Sequence, residues 1–277
     1  MGIVVITIAG ASKLAFANAL HKKTHGGVKL VVVQKPRRVS LRNRFNRTKK
    51  MLRDGTFLRE VLYAILLYLS PKARSTLAYF REISCSLNEK KDNLPKVLEV
   101  DSVNSDEVYA ELKKISPKLI VIWGSKILRP RVLETAKCSI NLHIGKCPHY
   151  RGTLANQHAV LDGDLSNIGA TIHYVAPEVD SGDMISVIEA DLSKPPEKLF
   201  RDLIKKAQKS YLEIAVRLFN GEQIRGKKQS TKIGKMMLLK QWTPEVRYKV
   251  ARRVLKWEHG RITNTKNAKN TNMALVN

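Results

Sequence analysis

Three linked segments carry the strongest structural signal: residues 141–152 read NLHIGKCPHYRG, residues 169–174 read GATIHY, and residues 179–185 read VDSGDMI. The first two begin with, or consist of, short β-prone runs that predict strands, and glycine and proline then interrupt regular structure. An amide, an imidazole and a carboxylate therefore stand at predicted strand ends. These groups can donate to a carbonyl oxygen and accept a proton, which predicts a catalytic site. The three candidates are Asn141, His143 and Asp180.

Each candidate also has a structural interpretation. Asparagine at a strand end is commonly a turn former, and aspartate before Ser-Gly is commonly part of a turn. A single histidine beside a strand is more often a hydrogen-bonded structural residue. It is the spacing of all three within one pattern that favours the catalytic interpretation.

The preceding sequence predicts a parallel sheet. Residues 3–8 and 28–33 read as strands joined by a helix, which is a β-α-β start. Asn104 and Glu107 resemble a capping pair for a later helix, and residues 119–123 read as the next strand. Ligands of open α/β sheets bind at the carboxyl ends of such strands, so Asn141 and His143 are well placed.

The pattern resembles the formyltransferase family that uses 10-formyltetrahydrofolate. Its signature is N-x-H, then P-x-[YFW]-[RK]-G, then G-x-T-[IV]-H, then D-x-G. Where the family often has H-P-S-L-L-P, this chain has HIGKCP, which keeps the spacing to the second proline. The matching residues are Asn141, His143, Pro148, Tyr150, Arg151, Gly152, Gly169, Thr171, Ile172, His173, Asp180 and Gly182.

The resemblance extends back to about Val97 and, more weakly, to the first strand. It implies an α/β fold with a Rossmann-like, mostly parallel sheet, the formyltransferase fold. To this we add a helical basic insertion and a small C-terminal extension. The predicted domains are 1–192 for catalysis, with the insertion at about 36–90, and 193–259 for the helical and β extension. Residues 260–277 are predicted to be a disordered tail.

The resemblance also implies roles for the reactive groups. His143 and the Asn141 amide would donate to the oxygen that becomes negative during formyl transfer. Asp180 would orient His143 and accept the amine proton, directly or through water. His173 would either orient Asp180 or simply pack. Tyr150 and Arg151 would shape the acceptor side, unless they form only a structural turn.

A flat pterin ring would need an apolar pocket. By resemblance, this pocket lies under the loop after strand 119–123. Ile127 and Leu128 would form one wall, and Val175 and Val179 would close the other side. Core packing is the alternative role for Ile127 and Leu128. The implied co-substrate is 10-formyltetrahydrofolate, and no metal site is evident or required.

Cysteine content favours a reducing compartment. The chain has three cysteines and neither a disulfide framework nor a paired CxxC metal site. The apolar start lacks the basic region of a secretory signal and reads as a first strand. We therefore expect a cytoplasmic protein.

The charge is large and uneven. The net charge is +26, yet residues 138–192 contain two Lys/Arg and seven Asp/Glu. Residues 35–50 contain eight Lys/Arg, and the apolar residues 57–69 that follow predict an amphipathic helix too short to span a bilayer. Such a surface attracts phosphates, nucleic acid or anionic lipid, although a solvated basic surface without a partner is the alternative.

Three functions stay open. A nucleotide-linked amino sugar is the first choice of small amine acceptor. The reasons are that the Gly-rich Ser-Asn phosphate loop of the purine enzyme is absent, and that the C-terminal region is too short for the second domain of methionyl-tRNA formyltransferases. Methionyl-tRNA is the alternative acceptor, favoured by the charge and the basic segment 35–50. The third is a non-catalytic protein that binds nucleic acid or an anionic membrane surface.

Overall fold

The computed structural model describes residues 2–36, 40–81, 95–230 and 234–260. In these ranges, the strands are β1 (Ile3–Ile8), β2 (Val28–Gln34), β3 (Val97–Val100), β4 (Leu119–Trp123), β5 (Cys138–His143), β6 (Tyr150–Gly152), β7 (Gly169–Tyr174), β8 (Met184–Glu189) and β9 (Lys235–Met237). The α-helices are α1 (Ala11–Lys23), α2 (Leu41–Arg53), α3 (Phe57–Tyr68), α4 (Pro71–Thr76), α5 (Asp106–Ile115), α6 (Pro130–Leu133), α7 (Ala155–Asp162), α8 (Pro196–Phe219) and α9 (Pro244–Glu258). Short 3₁₀ helices occupy Leu77–Phe80, Leu165–Asn167 and Leu239–Gln241.

Most strands form one sheet in the order β3-β2-β1-β4-β5-β7-β8, and β6 pairs with β9. The pairs from β3 to β5 are parallel, whereas β7 runs antiparallel to both β5 and β8. The predicted α/β fold with a mostly parallel sheet is confirmed. The chain moves outward from β1 to β3 and then returns to the other side of β1, which opens a crevice at the carboxyl ends of β1 and β4.

The central parallel strands β1, β2 and β4 are buried on both faces of the sheet. In β1, Ile3 and Val5 join the apolar cluster under α1 and α8, while Val4 and Ile6 join the cluster under α5 and α6. This alternation explains why β1 reads as a continuous apolar run.

Helix α8 is fastened to the sheet by a buried tyrosine. The Tyr211 hydroxyl accepts from the backbone N–H of Ile122 at 3.0 Å. It lies 2.8 Å from the carbonyl oxygen of Ile122 and 3.0 Å from that of Ile140. Strands β4 and β5 are thereby hydrogen-bonded to a helix that follows residue 193. The predicted boundary between a catalytic domain 1–192 and an extension 193–259 stays a prediction.

Most of the basic segment is helical. From Leu41 it is helix α2, which begins after Ser40, whose Oγ accepts the N–H of Asn43 at 3.2 Å. The helix predicted at 57–69 is confirmed as α3, which packs against α9 together with α4. Residues 37–39, residues 82–90 of the predicted insertion, and the predicted tail from 261 onward lie outside the described residues.

The predicted capping pair of α5 is wrong by one position. Ser105, rather than Asn104, caps the helix, because its Oγ accepts the N–H of Val108 at 3.4 Å. Asn104 instead turns toward the loop after β4. Its Nδ2 donates to the carbonyl of Ile127 at 2.9 Å, and its Oδ1 accepts the N–H of Arg129 at 2.7 Å.

Candidate active site

The register between β5 and β7 builds the centre of the site. Asn141 lies opposite His173, and His143 lies opposite Thr171. Asn141 and His143 are two positions apart and therefore share one face of the sheet. His173 is brought beside them although it is 32 positions from Asn141 along the chain.

Asp180 joins these side chains through both carboxylate oxygens. Its Oδ1 accepts from Asn141 Nδ2 at 3.2 Å and lies 3.3 Å from His173 Nε2. Its Oδ2 lies 3.3 Å from His143 Nδ1 and accepts the backbone N–H of Gly152 at 2.8 Å. The structure therefore assembles all three predicted catalytic residues, with His173 as a fourth member.

The surroundings of Asp180 determine its charge. Burial alone would raise the pKa of this carboxyl group, since it disfavours the anion. The nearby His143 and His173 and the N–H of Gly152 outweigh burial and lower the pKa to about 2 from its ordinary value of 3.8. Asp180 is consequently an anion at any pH near neutrality.

The other nitrogen of His143 also has a partner. His143 Nε2 lies 2.9 Å from the carbonyl oxygen of Tyr150, and the ring is buried. Each ring nitrogen thus faces an acceptor, so an N–H at either position is satisfied. For Nε2 to donate to a substrate, it must exchange the Tyr150 carbonyl for the substrate oxygen.

The loop after β5 is held close to His143 by a hydrogen-bonding threonine and a glycine. Thr171 Oγ1 donates to the Gly145 carbonyl at 2.8 Å and accepts the Cys147 N–H at 3.0 Å, which fastens the loop after β5. A Cβ at Gly145 would lie 2.3 Å from His143 Nε2, so only glycine lets the loop pass the ring. The thiol of Cys147 is buried, which raises its pKa to about 12 and makes it a poor nucleophile.

The loop that presents Asp180 is held in an uncommon backbone conformation. Asp180 has a φ of +50°, in the left-handed region. A Cβ at Gly182 would lie 1.8 Å from the Tyr174 carbonyl, which explains the glycine of the D-x-G motif.

Gln229 also holds this loop, and the sequence analysis did not identify it. Its Nε2 donates to the carbonyls of Asp180 and Gly182 at 2.8 and 2.7 Å, and no local pattern around it marks such a long-range contact.

A cavity of about 680 Å³, here the first cavity, opens beside this cluster. Its volume is in the range of small-molecule sites. It brings together the four predicted cofactor-binding residues with Asn141, His143, His173 and Asp180. The apolar members are Ile127, Leu128, Val175 and Val179.

The structure places Tyr150 and Arg151 outside the lining of the first cavity. The Tyr150 hydroxyl turns away and donates to Asp162 Oδ2 at 2.8 Å. Burial, and then the Asp162 carboxylate, raise the pKa of Tyr150. Arg151 is buried. Their predicted acceptor-binding role therefore lacks support in this geometry, although the Tyr150 carbonyl does contact His143.

A second cavity of about 480 Å³ adjoins the first and shares Ile144 and Leu154 with it. It is bounded by the loop from β1 into α1, including Lys13, and by Arg81. Lys13 is buried with its Nζ 5.4 Å from the centre of the Trp123 ring. Neither basic residue was singled out from the sequence.

Within the described ranges, no group of three or more His, Cys, Asp or Glu side chains could hold a metal ion. In the same residues, no helix is long and apolar enough to cross a membrane.

Known proteins resemble the chain in sequence. The family model for formyl transferase matches residues 1–215. A methionyl-tRNA formyltransferase from a Nitratiruptor species is 35% identical over 120 residues, which cover 42% of this chain and 39% of that protein. The chain thus spans well under half the length of this curated relative.

Solved structures resemble the fold. A sugar N-formyltransferase from a Shewanella species aligns with a TM-score of 0.52 and 15% identity, over 92% of this chain and 88% of that one. An N-formyltransferase from Helicobacter canadensis, solved with folinic acid and dTDP-3-aminofucose, aligns with a TM-score of 0.51 and 14% identity, over 90% and 79% of the two chains. These structures show the fold, and the family match over residues 1–215 shows that the chain belongs to the formyl transferase family.

Proposed function

We propose that this protein transfers a formyl group from 10-formyltetrahydrofolate to a primary amine, and that the acceptor is a nucleotide-linked amino sugar. One observation carries the proposal: Asn141, His143 and Asp180 meet on the wall of the first cavity, where Asn141 Nδ2 donates to Asp180 Oδ1 and His143 Nδ1 lies 3.3 Å from Asp180 Oδ2. Family membership supports the reaction type.

The reaction joins the acceptor nitrogen to the formyl carbon and then breaks the bond from that carbon to folate N10. The acceptor nitrogen loses one proton and the departing N10 gains one. Negative charge develops on the formyl oxygen between these steps. The N–H groups of Asn141 and His143 are the donors for that oxygen, and removing one such donor costs about 2.7–4 kcal/mol of barrier.

Asp180 is the anionic partner of both histidines. It orients His143 through Nδ1 and receives the proton released by the acceptor amine, directly or through water. A low pKa makes Asp180 a weak base, so this proton passes on to bulk water or to N10 rather than resting on the carboxylate.

The first cavity fits the folate co-substrate. Leu128 is buried and Val175 half-buried, so they offer apolar surface to a flat ring, while Ile127 is largely exposed and can cover the ring from outside. Residues 124–128 of the loop after β4 line this cavity, so their backbone groups are available to contact the polar edge of a pterin. The Asn104 amide holds this loop at Ile127 and Arg129.

The second cavity suits the rest of the acceptor. It meets the first cavity at Ile144 and Leu154, so an amine in one can be continuous with a larger group in the other. Lys13 and Arg81 place positive charge there, and guanidinium groups bind phosphate oxygens in pairs. This arrangement supports a nucleotide-linked acceptor, like the dTDP-linked sugar with which the Helicobacter canadensis enzyme was solved.

Methionyl-tRNA is the second candidate acceptor. The curated relatives in the comparison are methionyl-tRNA formyltransferases. Helix α2 is also strongly basic, with Arg42, Arg47, Lys49, Lys50 and Arg53 in 13 residues. A basic helix of this kind could contact the phosphates of a nucleic acid.

Release of tetrahydrofolate tests both candidates. The protein is mixed with 10-formyltetrahydrofolate and either nucleotide-linked amino sugars or Met-charged initiator tRNA. We expect release only with an amino sugar, and its loss in Asp180→Asn but not in the matched control Asp183→Asn. Release only with Met-tRNA would replace the first acceptor with the second. No release with any amine, although the protein binds 5-formyltetrahydrofolate, would refute the proposed acceptors.

A further inference from the structure

Helix α3 exposes a second apolar face, besides the side that packs Leu67 against the protein. Leu58, Leu62, Ile65 and Leu69 follow one another at helical spacing and all lie on the surface, with Leu58 79% and Leu62 54% exposed. Residues three, four and seven positions apart share one face of a helix, so these side chains form a continuous stripe.

The orientation of this stripe is set by contacts on the opposite side of α3. Glu60 is buried there, and its Oε2 accepts the N–H of Glu245 at 3.1 Å, at the start of α9. The rings of Tyr63 and Tyr248 lie 5.6 Å apart. Helix α3 therefore packs Glu60, Tyr63 and Leu67 against the protein and leaves the leucine stripe on its opposite side, where an ordinary surface helix carries polar side chains.

Helix α2 repeats the arrangement. Leu41, Phe45 and Leu52 lie on one face of the helix and are exposed, Phe45 by 68%. The remaining faces carry arginine and lysine. Residues 40–70, which hold both helices, contain seven Lys/Arg and two Asp/Glu, a net charge of +5.

We propose that the α2–α3 surface, defined as the exposed apolar side chains of α2 and α3 with their basic neighbours, binds an anionic lipid surface. In-plane amphipathic helices have this composition: an apolar face enters the headgroup region while Lys and Arg on the polar face contact anionic headgroups. Within the described residues no helix could span a membrane, so the surface would lie on the bilayer.

Charge and apolarity together select this occupant. A second copy of the chain would bring the net charge of +5 on residues 40–70 against the same charge on its partner, which opposes association through this surface. A nucleic acid would neutralise the arginines but leave the leucine stripe in water. An anionic bilayer satisfies both, since it supplies negative headgroups and an apolar layer beneath them. The inference does not depend on the proposed reaction.

Vesicle flotation tests the inference with the full chain. We expect the protein to float with phosphatidylcholine vesicles containing about 30% phosphatidylglycerol and to stay behind with phosphatidylcholine alone. Substitution of Leu58, Leu62 and Ile65 together by Gln is expected to weaken flotation more than about ten-fold. Leu192→Gln, an exposed leucine outside the two helices, is the control that retains flotation.

The charge is tested separately. Arg47→Glu with Lys50→Glu on α2 is expected to abolish flotation, whereas Lys205→Glu with Lys209→Glu on exposed positions of α8 is expected to keep most of it. Circular dichroism confirms that each variant is folded. Equal flotation of the triple Gln variant and the wild type would overturn the inference. Failure of the wild type to float with anionic vesicles would also overturn it. In that case, a dimer that the triple variant dissociates would identify a second copy as the occupant of the surface, and tRNA binding through α2 would identify a nucleic acid.

Discussion

Asp180 combines a left-handed backbone conformation with a carboxylate shared among Asn141, His143 and His173. Asp180→Asn keeps the size of the side chain but removes its charge and turns an amide N–H toward the histidines. We expect kcat to fall about 10²–10³-fold with a much smaller change in the KM for folate. Steady-state kinetics check this, and a rate near that of the wild type would contradict the proposed role of Asp180.

Acid stability follows from the same residue. The folded-state pKa of Asp180 is about 2, below the ordinary 3.8, so its anion stabilises the folded protein at pH values above about 4. This contribution, roughly 2 kcal/mol, is lost as the pH falls from about 4 toward 2. Urea unfolding at both ends of that pH range is expected to show a larger decrease in the free energy of unfolding for the wild type than for Asp180→Asn. Parallel losses would contradict the assigned pKa.

We expect Asn104 to affect folate binding through the loop after β4, which it holds by two hydrogen bonds. Asn104→Ala removes both contacts to this loop, at Ile127 and Arg129, so we expect the KM for folate to rise about ten-fold while kcat changes little. Asn104→Asp keeps an acceptor for the Arg129 N–H but has no donor for the Ile127 carbonyl. Its KM for folate is therefore expected to lie between those of the wild type and Asn104→Ala. A fall in kcat alone would show that the loop contributes to chemistry rather than to binding.

At the scale of elements, one hydroxyl ties α8 to β4 and β5. Tyr211→Phe leaves the buried N–H of Ile122 without the oxygen that accepts it. We expect the free energy of unfolding to drop by about 1–3 kcal/mol. Tyr109→Phe on α5, where the ring is half-buried, is the matched control, with an expected change below about 0.5 kcal/mol. Equal effects in chemical denaturation would mean that the Tyr211 hydroxyl is not a structural tie.

The whole molecule carries +26, concentrated outside residues 138–192. If the acceptor is a nucleotide-linked amino sugar, few phosphates are contacted, and we expect kcat/KM to fall less than about ten-fold between about 50 and 200 mM salt. A tRNA acceptor with six to ten phosphate contacts would lose about 10³–10⁵ in affinity over the same range. Replacing Arg42 and Arg44 by Ala would then also reduce transfer, and a steep salt dependence would favour the tRNA acceptor.

The sequence was sufficient for the order of the central elements, and it predicted the three side chains that the structure brings together around Asp180. The local hydrophobic pattern predicts β1, β2, β4, β5 and β7. A strand buried on one face shows alternating apolar residues, and a strand buried on both faces shows a continuous apolar run. The spaced motifs identified Asn141, His143 and Asp180, since each motif meets a local steric or chemical demand. Gly182, for example, is required by contact with the Tyr174 carbonyl.

Only the tertiary structure showed what depends on contacts between distant residues. The register of β5 against β7 places His173 beside Asp180. Gln229, which lies 47 positions beyond Gly182 in the chain, donates to the Gly182 carbonyl in the same loop. Tyr150 matched the motif yet turned toward Asp162. Helix α3 was recognised from its apolar period, but that period is the same whether the leucines face the core or the solvent. Its docking through Glu60 and Tyr63 decided that they face the solvent.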